Sequence, residues 1–518
     1  MPPVERPAAA QSAPEIGRAV LLFGLGMALL GVVLYWNRIA LGGELGQAPG
    51  WVAALAAPVD WVAERTAGPI EGPGSDQRVR VGQLVRGWTV GCAVYFAALA
   101  FAVARCAQSK LCLDVAIAWA VILRVVAIAS PPILETDPSR YLWDGTVTAA
   151  GLNPYRHAPL SVLLYREGHI DAPDRAAEVE LDRLGELSLD RRLDPHLRRI
   201  NHPAVPTCYP PGAQAVFSIA ARIAPGDVQT LKAIVAAFDL GVFWVLLALL
   251  RAVGRPPIWA LAYGWCPLVI KEYAQTGHFD TVACFFLLAS LYSLMQHRRL
   301  LAGVFAGVAI ATKLFPAVFV ATAWRRYGAR GLAAAALAAV LLALPFAGAG
   351  ASAFVGIKTY GMTWVGNASL FELARAALGG LGDAAPTAAK IALGAAGLAG
   401  CLWLSRRPES TPAELALKCL SAEGLLFVLS PVQNPWYCGW MVPLAALSGR
   451  VSWLVLSGTM VTYYAYFSTG GYLRSVPGAG FELDLRWIEY VPFFALLALE
   501  LAGQRGPASS RIDSGKPA

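Results

Sequence analysis

The sequence contains few charged residues and no cysteine motif of the kind that binds zinc or builds a disulfide framework. Charged residues make up 15% of the chain, against about a quarter in soluble globular domains. The nine cysteines are scattered along the chain, without a CxxC pair or the spacing of Cys/His metal ligands. These absences argue against a soluble domain, a structural zinc site and a disulfide-stabilised fold.

Two more features are missing. The first apolar stretch lacks the small-residue cleavage site of a secretory signal, so Ala19–Trp36 is expected to form a retained first helix. No internal repeat is evident, whereas many transporters consist of two similar halves.

The net charge of +8 does not indicate nucleic-acid binding, because Arg and Lys cluster in short links between apolar blocks, as in membrane proteins.

What the chain does contain is apolar sequence along nearly its whole length. Hydrophobic residues make up 57% of it, and the mean hydropathy is +0.52. The apolar blocks lie at about 19–36, 88–104, 112–130, 232–250, 257–270, 279–295, 300–324, 331–349, 387–405, 416–431, 436–448, 452–468 and 488–503. This pattern predicts an all-α polytopic membrane protein with about 12–14 transmembrane helices, since roughly 20 apolar residues cross a bilayer as helix.

Basic links between the blocks predict the orientation, since cytoplasmic loops carry an excess of Arg and Lys. With these links inside, the N-terminus is cytoplasmic. The predicted external loops are then at about 37–87, 131–231, 350–386 and 470–487. Residues 1–503 are expected to form a single integral-membrane domain whose long early loop contains short interfacial helices. Residues 504–518 are expected to be a disordered cytoplasmic tail.

Two segments break the simple alternation of crossings. Ala213–Ala224 is about a dozen residues long, too short to span, and it follows two prolines and a glycine that prevent a continuous helix. It is predicted to be interfacial or re-entrant. Lys313 and Pro316 interrupt block 300–324, which predicts a broken helix lining a cavity, where irregular backbone is tolerated at membrane depth.

Unusual polar residues concentrate on the predicted outer face. Asp137 follows the apolar run Leu111–Leu134 almost directly, and charges at a membrane edge are functional candidates. Transfer of a sugar from a polyprenyl phosphate needs a carboxylate base and cations for the departing phosphate. The candidate catalytic residues are Asp137 and Asp144, and the candidate donor-phosphate ligands are His278, Lys313 and Arg474. The candidate substrate-binding residues are Arg140, Asn153, Tyr155, Tyr209, Asp280, Glu372 and Trp436.

Simpler roles remain open for the same side chains. They include a helix-start ion pair for Asp137 and Arg140, a turn for Asp144, an interfacial position for His278, Lys313 or Trp436, and a solvated charge for Arg474. The carboxylates of Asp137, Asp144 and Asp280 could form an oxygen site for a metal, but no fixed spacing demands one. No metal and no other cofactor is therefore predicted.

Five motifs together resemble the integral-membrane glycosyltransferases of the GT-C superfamily, specifically the polyprenol-phosphate-mannose-dependent mannosyltransferases of family 87. They are TDPSRYLWDGTVTAAGLNPYRHAP (136–159), INHPAVPTCYPPGAQAVF (200–217), WCPLVIKEYAQTGHFD (265–280), ATKLFP (311–316) and SPVQNPWY (430–437). The resemblance implies a GT-C fold, Asp137 as general base, and an inverting reaction with a lipid-phosphate sugar. It also implies that the reaction takes place outside the cytoplasm.

The leading hypothesis is therefore a multi-pass glycosyltransferase of the inner (plasma) membrane with an extracytoplasmic active site. Its partners would be a polyprenyl-phosphate sugar, mannose by the resemblance, a lipid-linked or glycan acceptor, and membrane lipids. A transporter or flippase for lipid-linked sugars is the alternative, although the one-sided polar residues favour an enzyme. A polymerase or ligase of the O-antigen type would carry its large external loop late in the chain, whereas here it is early.

Overall fold

The computed structural model describes residues 13–41, 77–469, 471–475 and 482–503. The central part of the predicted loop 37–87, residues 42–76, and the predicted tail 504–518 lie outside the described residues. Within the described ranges the protein is helical apart from one antiparallel pair of three-residue strands, Leu473–Ser475 and Glu482–Asp484. This architecture is that of an all-α polytopic membrane protein.

Long apolar helices form the membrane-spanning part. In the described ranges, six segments are long and apolar enough to cross a bilayer: Ala13–Ala40, Gln77–Arg105, Lys110–Ile128, Val228–Ala252, Trp324–Thr363 and Gly379–Arg406. A seventh is obtained if Pro267–Thr276 and Asp280–Met295, which meet at a bend of 120°, are counted as one broken span. The sequence predicts 12–14 transmembrane helices, whereas the described ranges contain fewer long ones. The reason is that several apolar blocks are divided into shorter helices.

The early loop is a compact set of short helices rather than an extended chain. They are Asp137–Ala149, Pro159–Arg166, Arg175–Ser188, Asp194–Arg199 and Pro211–Ile223. Pro211–Ile223 has 13 residues, which is about 20 Å of helix against a hydrocarbon core of about 30 Å. It packs against Asp137–Ala149, where Gly145 allows the two backbones to approach closely.

The centre of the chain consists of broken helices. They are Pro257–Ala260, Leu261–Gly264, Pro267–Val269, Ile270–Thr276, Asp280–Met295, Arg299–Thr312 and Pro316–Thr322. Ile270–Thr276 is a π-helix that ends at Gly277 in a left-handed conformation, φ 90°. The break expected at Lys313 and Pro316 is present, since Lys313 has extended backbone angles between two helices.

The last third of the chain supplies many of the residues that line the cavity described below. Its helices are Trp324–Ala343, Leu344–Phe354, Val355–Thr363, Leu370–Ala377, Gly379–Ala384, Ala385–Arg406, Pro412–Leu429, Pro435–Cys438, Met441–Ser448, Val451–Thr459, Met460–Ala465, Tyr466–Thr469 and Arg486–Gly503. Prolines stand in the first turn of several of these helices, where the missing N–H costs no hydrogen bond.

A buried ion pair fixes two of the spanning helices. Arg124 of Lys110–Ile128 donates from Nε to Asp239 Oδ2 of Val228–Ala252 at 2.8 Å. Tyr263 donates its hydroxyl to the other oxygen of Asp239 at 2.5 Å. Charges at this depth are tolerated only when paired and hydrogen-bonded, so the cluster fixes the register of these helices.

Candidate active site

Asp137 is the first residue of a 13-residue helix that begins where the chain leaves the Lys110–Ile128 span. A carboxylate in the first turn is favoured by the helix dipole, and Pro138 suits the same turn. Asn201 donates from Nδ2 to Asp137 Oδ1 at 2.9 Å, and Tyr141 donates its hydroxyl to Oδ2 at 3.4 Å. The carboxylate is therefore oriented from two sides.

Asp137 lies on the wall of a cavity of about 970 Å³. The same wall contains Tyr209, Lys313 and Trp436, three further residues predicted from the sequence. Most of the remaining lining is aromatic or aliphatic. A large apolar cavity with a few converging polar groups is the usual form of a ligand site.

His278 lies directly behind Asp137. Its Nδ1 is 3.8 Å from Asp137 Oδ2 and 3.3 Å from the Tyr141 hydroxyl, and its Nε2 is 3.3 Å from Glu272 Oε2. The ring stacks on Trp436 with centroids 4.0 Å apart. The π-helix and the left-handed Gly277 produce this arrangement, because they turn Glu272 and His278 toward each other. His278 is fully buried and is not among the residues that line the cavity, whereas its neighbours Asp137, Tyr141 and Trp436 do line it.

A second acid, Glu135, lines the cavity two residues before Asp137. Its Oε1 atom is buried and has no hydrogen-bond partner among the described residues. Burial raises the pKa of Glu135 well above its ordinary value, and nearby Lys271 opposes that shift. Sequence reasoning missed this residue, although an acid adjoining a motif that begins at Thr136 was a visible signal.

Lys313 is held at the cavity by acid and aromatic neighbours. Its Nζ is 2.5 Å from Asp280 Oδ1, which also accepts from Trp440 Nε1 at 2.8 Å. The ammonium lies 4.4 Å from the ring centre of Tyr437 and 5.0 Å from that of Phe279. Asp280 is fully buried, whereas the Lys313 side chain is 17% exposed. Asp280 thus holds Lys313 in place, and Lys313 alone of the pair faces the cavity.

Arg140 and Asp144 form a buried ion pair away from the cavity wall. Arg140 Nε is 3.0 Å from Asp144 Oδ1, and Arg140 Nη2 donates to the Val205 carbonyl at 3.0 Å. Gln214 approaches the other Asp144 oxygen at 3.5 Å. Burial raises the pKa of Asp144, while the Arg140 guanidinium acts in the opposite direction. The contacts tie the Asp137 helix to the segment that follows it.

Asn153 and Tyr155 likewise make backbone contacts outside the cavity. Asn153 donates to the carbonyl of Phe346 at 3.2 Å, and Tyr155 donates its hydroxyl to the carbonyl of Tyr209 at 2.7 Å. The second contact fixes the backbone of a cavity residue. Both side chains therefore connect the early loop to other parts of the protein.

The last two predicted residues lie near the C-terminal strands. Glu372 pairs with Arg375 at 2.7 Å and with Arg486 at 3.6 Å, and it does not line the cavity. Arg474 is in strand Leu473–Ser475, where its backbone pairs with Leu483. Its side chain lies outside the described part of the structure. Neither residue contributes a described contact to Asp137 or Lys313.

Much of the cavity wall was not predicted. Its aromatic residues include Trp364, Tyr360, Tyr463, Tyr472 and Phe315. Aromatic residues in apolar blocks carry no sequence signal that distinguishes the wall of a cavity from the core of the protein. In the described ranges, His, Cys, Asp and Glu side chains do not come together in a group of three or more suited to a metal ion.

The sequence model of glycosyltransferase family 87 matches residues 207–431, which is less than half of the chain. Neither the curated proteins nor the solved structures yield a match. The family match supports a glycosyltransferase, and it is consistent with a membrane enzyme of the GT-C type. The matched region contains Lys313, His278 and Tyr209, and Asp137 precedes it.

Proposed function

We propose that the protein transfers a sugar, mannose by the family resemblance, from a polyprenyl-phosphate donor to a glycan or lipid-linked acceptor. Asp137 is the general base, and the reaction inverts the anomeric centre. The enzyme is a multi-pass protein of the inner (plasma) membrane, and its cavity faces the extracytoplasmic side. The observation that carries the proposal is that Asp137 and Lys313 line one cavity at the edge of the spanning helices.

The charges of the cavity favour a monophosphate donor over a diphosphate. Lys313 is the single lysine or arginine among the lining residues that the structure describes, and Glu135 and Asp137 line the same space. One ammonium can neutralise the charge that develops on one departing phosphate. The second phosphate of a diphosphate would find no further lysine or arginine among these lining residues.

The apolar part of the lining supports a lipid donor. Leu314, Phe315 and Ile357 face the cavity on one side of Lys313, and Leu426 and Phe427 line it from the Pro412–Leu429 helix. Leu314 in this wall is 51% exposed. A polyprenyl chain attached to the phosphate could lie along these side chains and extend into lipid.

The proposed reaction uses Asp137 as the base and Lys313 as the phosphate ligand. The acceptor hydroxyl oxygen attacks C1 of the sugar, and the bond from C1 to the phosphate oxygen breaks with its electron pair moving to the phosphate. Asp137 takes the hydroxyl proton, and Lys313 holds the phosphate as its charge grows. Attack opposite the leaving group inverts C1.

The test is an assay with purified protein, polyprenyl-phosphate mannose and a mannoside acceptor. An enzyme releases polyprenyl phosphate and forms a new glycosidic bond, in amounts that match. A flippase for lipid-linked sugars, which would use a similar cavity, moves the donor across vesicles without cleaving it. Donor movement without cleavage would contradict the proposed function.

A further inference from the structure

The segment from Asn201 to Val205 contains a turn, in which the N–H of Val205 donates to the carbonyl of His202 at 3.1 Å. Asn201 and His202 are both exposed, and both line the cavity. His202 has φ 51°, in the left-handed region that residues other than glycine seldom adopt. Such conformations persist where the surroundings fix them, and they cluster at functional sites. The conformation of His202 therefore makes this turn a candidate part of the functional site.

Its first residue orients the base. Asn201 donates to Asp137 Oδ1 at 2.9 Å, which leaves the second lone pair of that oxygen and Oδ2 for other partners. Asp137 lies 64 residues earlier in the chain, so the turn brings a distant amide onto the carboxylate.

The His202 side chain contacts an aromatic side chain from another part of the protein. The His202 ring lies 4.7 Å from the ring of Trp364 at an interplanar angle of 42°. Trp364 directly follows the Val355–Thr363 helix and is half-buried, so part of its surface is free. The two rings are tilted against each other, and both line the cavity that Asp137 also lines.

This pair of rings is one end of a continuous series of side-chain contacts. Trp364 meets Tyr360 edge-on at 4.4 Å, and the hydroxyls of Tyr360 and Tyr437 are 2.8 Å apart. The Tyr437 ring lies 4.4 Å from Lys313 Nζ. The series therefore begins at His202, next to Asn201, and ends at the cation assigned to the donor phosphate. Its two ends are suited to different ligands.

We propose that Asn201, His202 and Trp364 form the acceptor subsite, which takes a carbohydrate: the sugar ring rests on the His202–Trp364 pair while Asn201 positions Asp137 against its hydroxyl. This inference rests on the proposed function. The hydrogens on one face of a sugar ring are weakly positive, and they fit the negative face of an aromatic ring. Inversion requires that this hydroxyl attack C1 from the side opposite the phosphate.

The test measures KM separately for donor and acceptor. The donor is polyprenyl-phosphate mannose, and the acceptors are methyl mannoside and octyl mannoside, which separate a sugar-only from a lipid-linked acceptor. Trp364→Ala is expected to raise acceptor KM by about 2- to 12-fold, the range of one lost ring contact, with donor KM unchanged. Trp364→Phe, which keeps a ring, should retain most of the affinity.

His202 needs a substitution that tolerates its backbone. His202→Asn removes the ring but keeps a residue type that adopts the left-handed region readily, so it should also raise acceptor KM. Asn201→Ala tests positioning: it should lower kcat by about 10-fold or more with a smaller change in acceptor KM. If Asn201 had only a structural role, Asn201→Ala would instead lower the thermal midpoint. The fall in kcat would then not exceed the change in acceptor KM.

Three results would overturn the subsite. The first is a normal acceptor KM in Trp364→Ala together with a lower thermal midpoint, which would make the stack a structural tie. The second is a raised donor KM instead of acceptor KM. The third is donor hydrolysis by the unmodified enzyme without transfer to either mannoside. Absence of donor cleavage altogether would instead count against the proposed function, so the two failures are distinguishable.

Discussion

The carboxylate of Asp137 is the group on which the proposed chemistry depends most directly. Asp137→Asn preserves size and can keep the contact with Tyr141, but it removes the base. We expect turnover to fall by about 10² to 10⁴, the usual contribution of general-base catalysis. The measurement is release of polyprenyl phosphate per enzyme per minute at saturating donor.

The matched control is Asp114→Asn. Asp114 is an exposed aspartate that pairs with Lys110 four residues earlier, and it does not line the cavity. An exposed helical pair contributes little to stability, so this variant should behave like the unmodified enzyme. Near-normal turnover in Asp137→Asn would transfer the role of base to another acid, and Glu135 is the one beside it on the cavity wall.

Lys313 allows donor binding to be separated from stability. Lys313→Met removes the cation but leaves Asp280 buried without its partner, which is costly. We expect weaker donor binding and a lower thermal midpoint. In Lys313→Met with Asp280→Asn, the uncompensated charge is gone, so the midpoint should recover while the donor affinity stays low. Recovery of donor affinity in the double variant would exclude Lys313 as the phosphate ligand.

The buried pair of Arg140 and Asp144 is expected to act on folding rather than on chemistry. Removing one partner of a buried pair costs about 3–5 kcal/mol, so Arg140→Met and Asp144→Leu should each lower the thermal midpoint strongly. The double variant should be more stable than the sum of the two losses implies. Activity per folded molecule should change little, and a 100-fold fall would assign Asp144 a catalytic part.

At the residue scale, the sequence predicted charged groups better than their surroundings. Asp137 and Lys313 could be found because a charge at a membrane edge is costly and therefore visible in an apolar chain. Glu135, also an acidic residue, was overlooked, and Trp364 resembles any other aromatic residue. His278 was proposed as a phosphate ligand, but its burial could not be read from its position beside Gly277.

At the scale of elements, the Asp137 helix depends on its fit against Pro211–Ile223. A Cβ added at Gly145 would lie 2.4 Å from the carbonyl oxygen of Phe217. Because that contact is backbone, the helices must separate, and Asp137 would move with its helix. Gly145→Ala is therefore expected to lower both the thermal midpoint and turnover, although alanine is the better helix former.

Gly185→Ala is the control for this steric argument. Gly185 lies within the Arg175–Ser188 helix, and an added Cβ there would meet nothing within 4 Å. This variant should be neutral or slightly stabilising, with unchanged turnover. Equal behaviour of the two alanine variants would show that close packing at Gly145 does not position the base.

Periodicity and composition located most elements but not their breaks. The interruption at Lys313 could be predicted because a lysine and a proline stand in an apolar block. The 120° bend after Ile270–Thr276 could not, since a π-helix has no composition of its own. The apolar blocks were counted as single spans for the same reason, and the structure divides several of them into short helices.

At the scale of the whole molecule, the remaining question is which side of the membrane the cavity faces. The arrangement of basic links predicts that both ends of Pro211–Ile223 are external, and the helix is too short to cross. Single cysteines at Ala204 and Arg222, which are exposed on either side of this helix, report its two ends. Pro408, exposed in a predicted cytoplasmic link, reports the opposite face.

The background for this labelling is a variant in which the three half-buried cysteines, Cys92, Cys208 and Cys401, are replaced by serine, and the remaining cysteines are buried. With an impermeant thiol reagent added to intact cells, Ala204→Cys and Arg222→Cys should be labelled, and Pro408→Cys should be labelled only after the membrane is opened. Labelling of Ala204→Cys but not Arg222→Cys would mean that the segment crosses and that every later loop changes side. Labelling of Pro408→Cys alone in intact cells would place the cavity on the cytoplasmic face, where the donor sugar would have to be transferred before any flipping step.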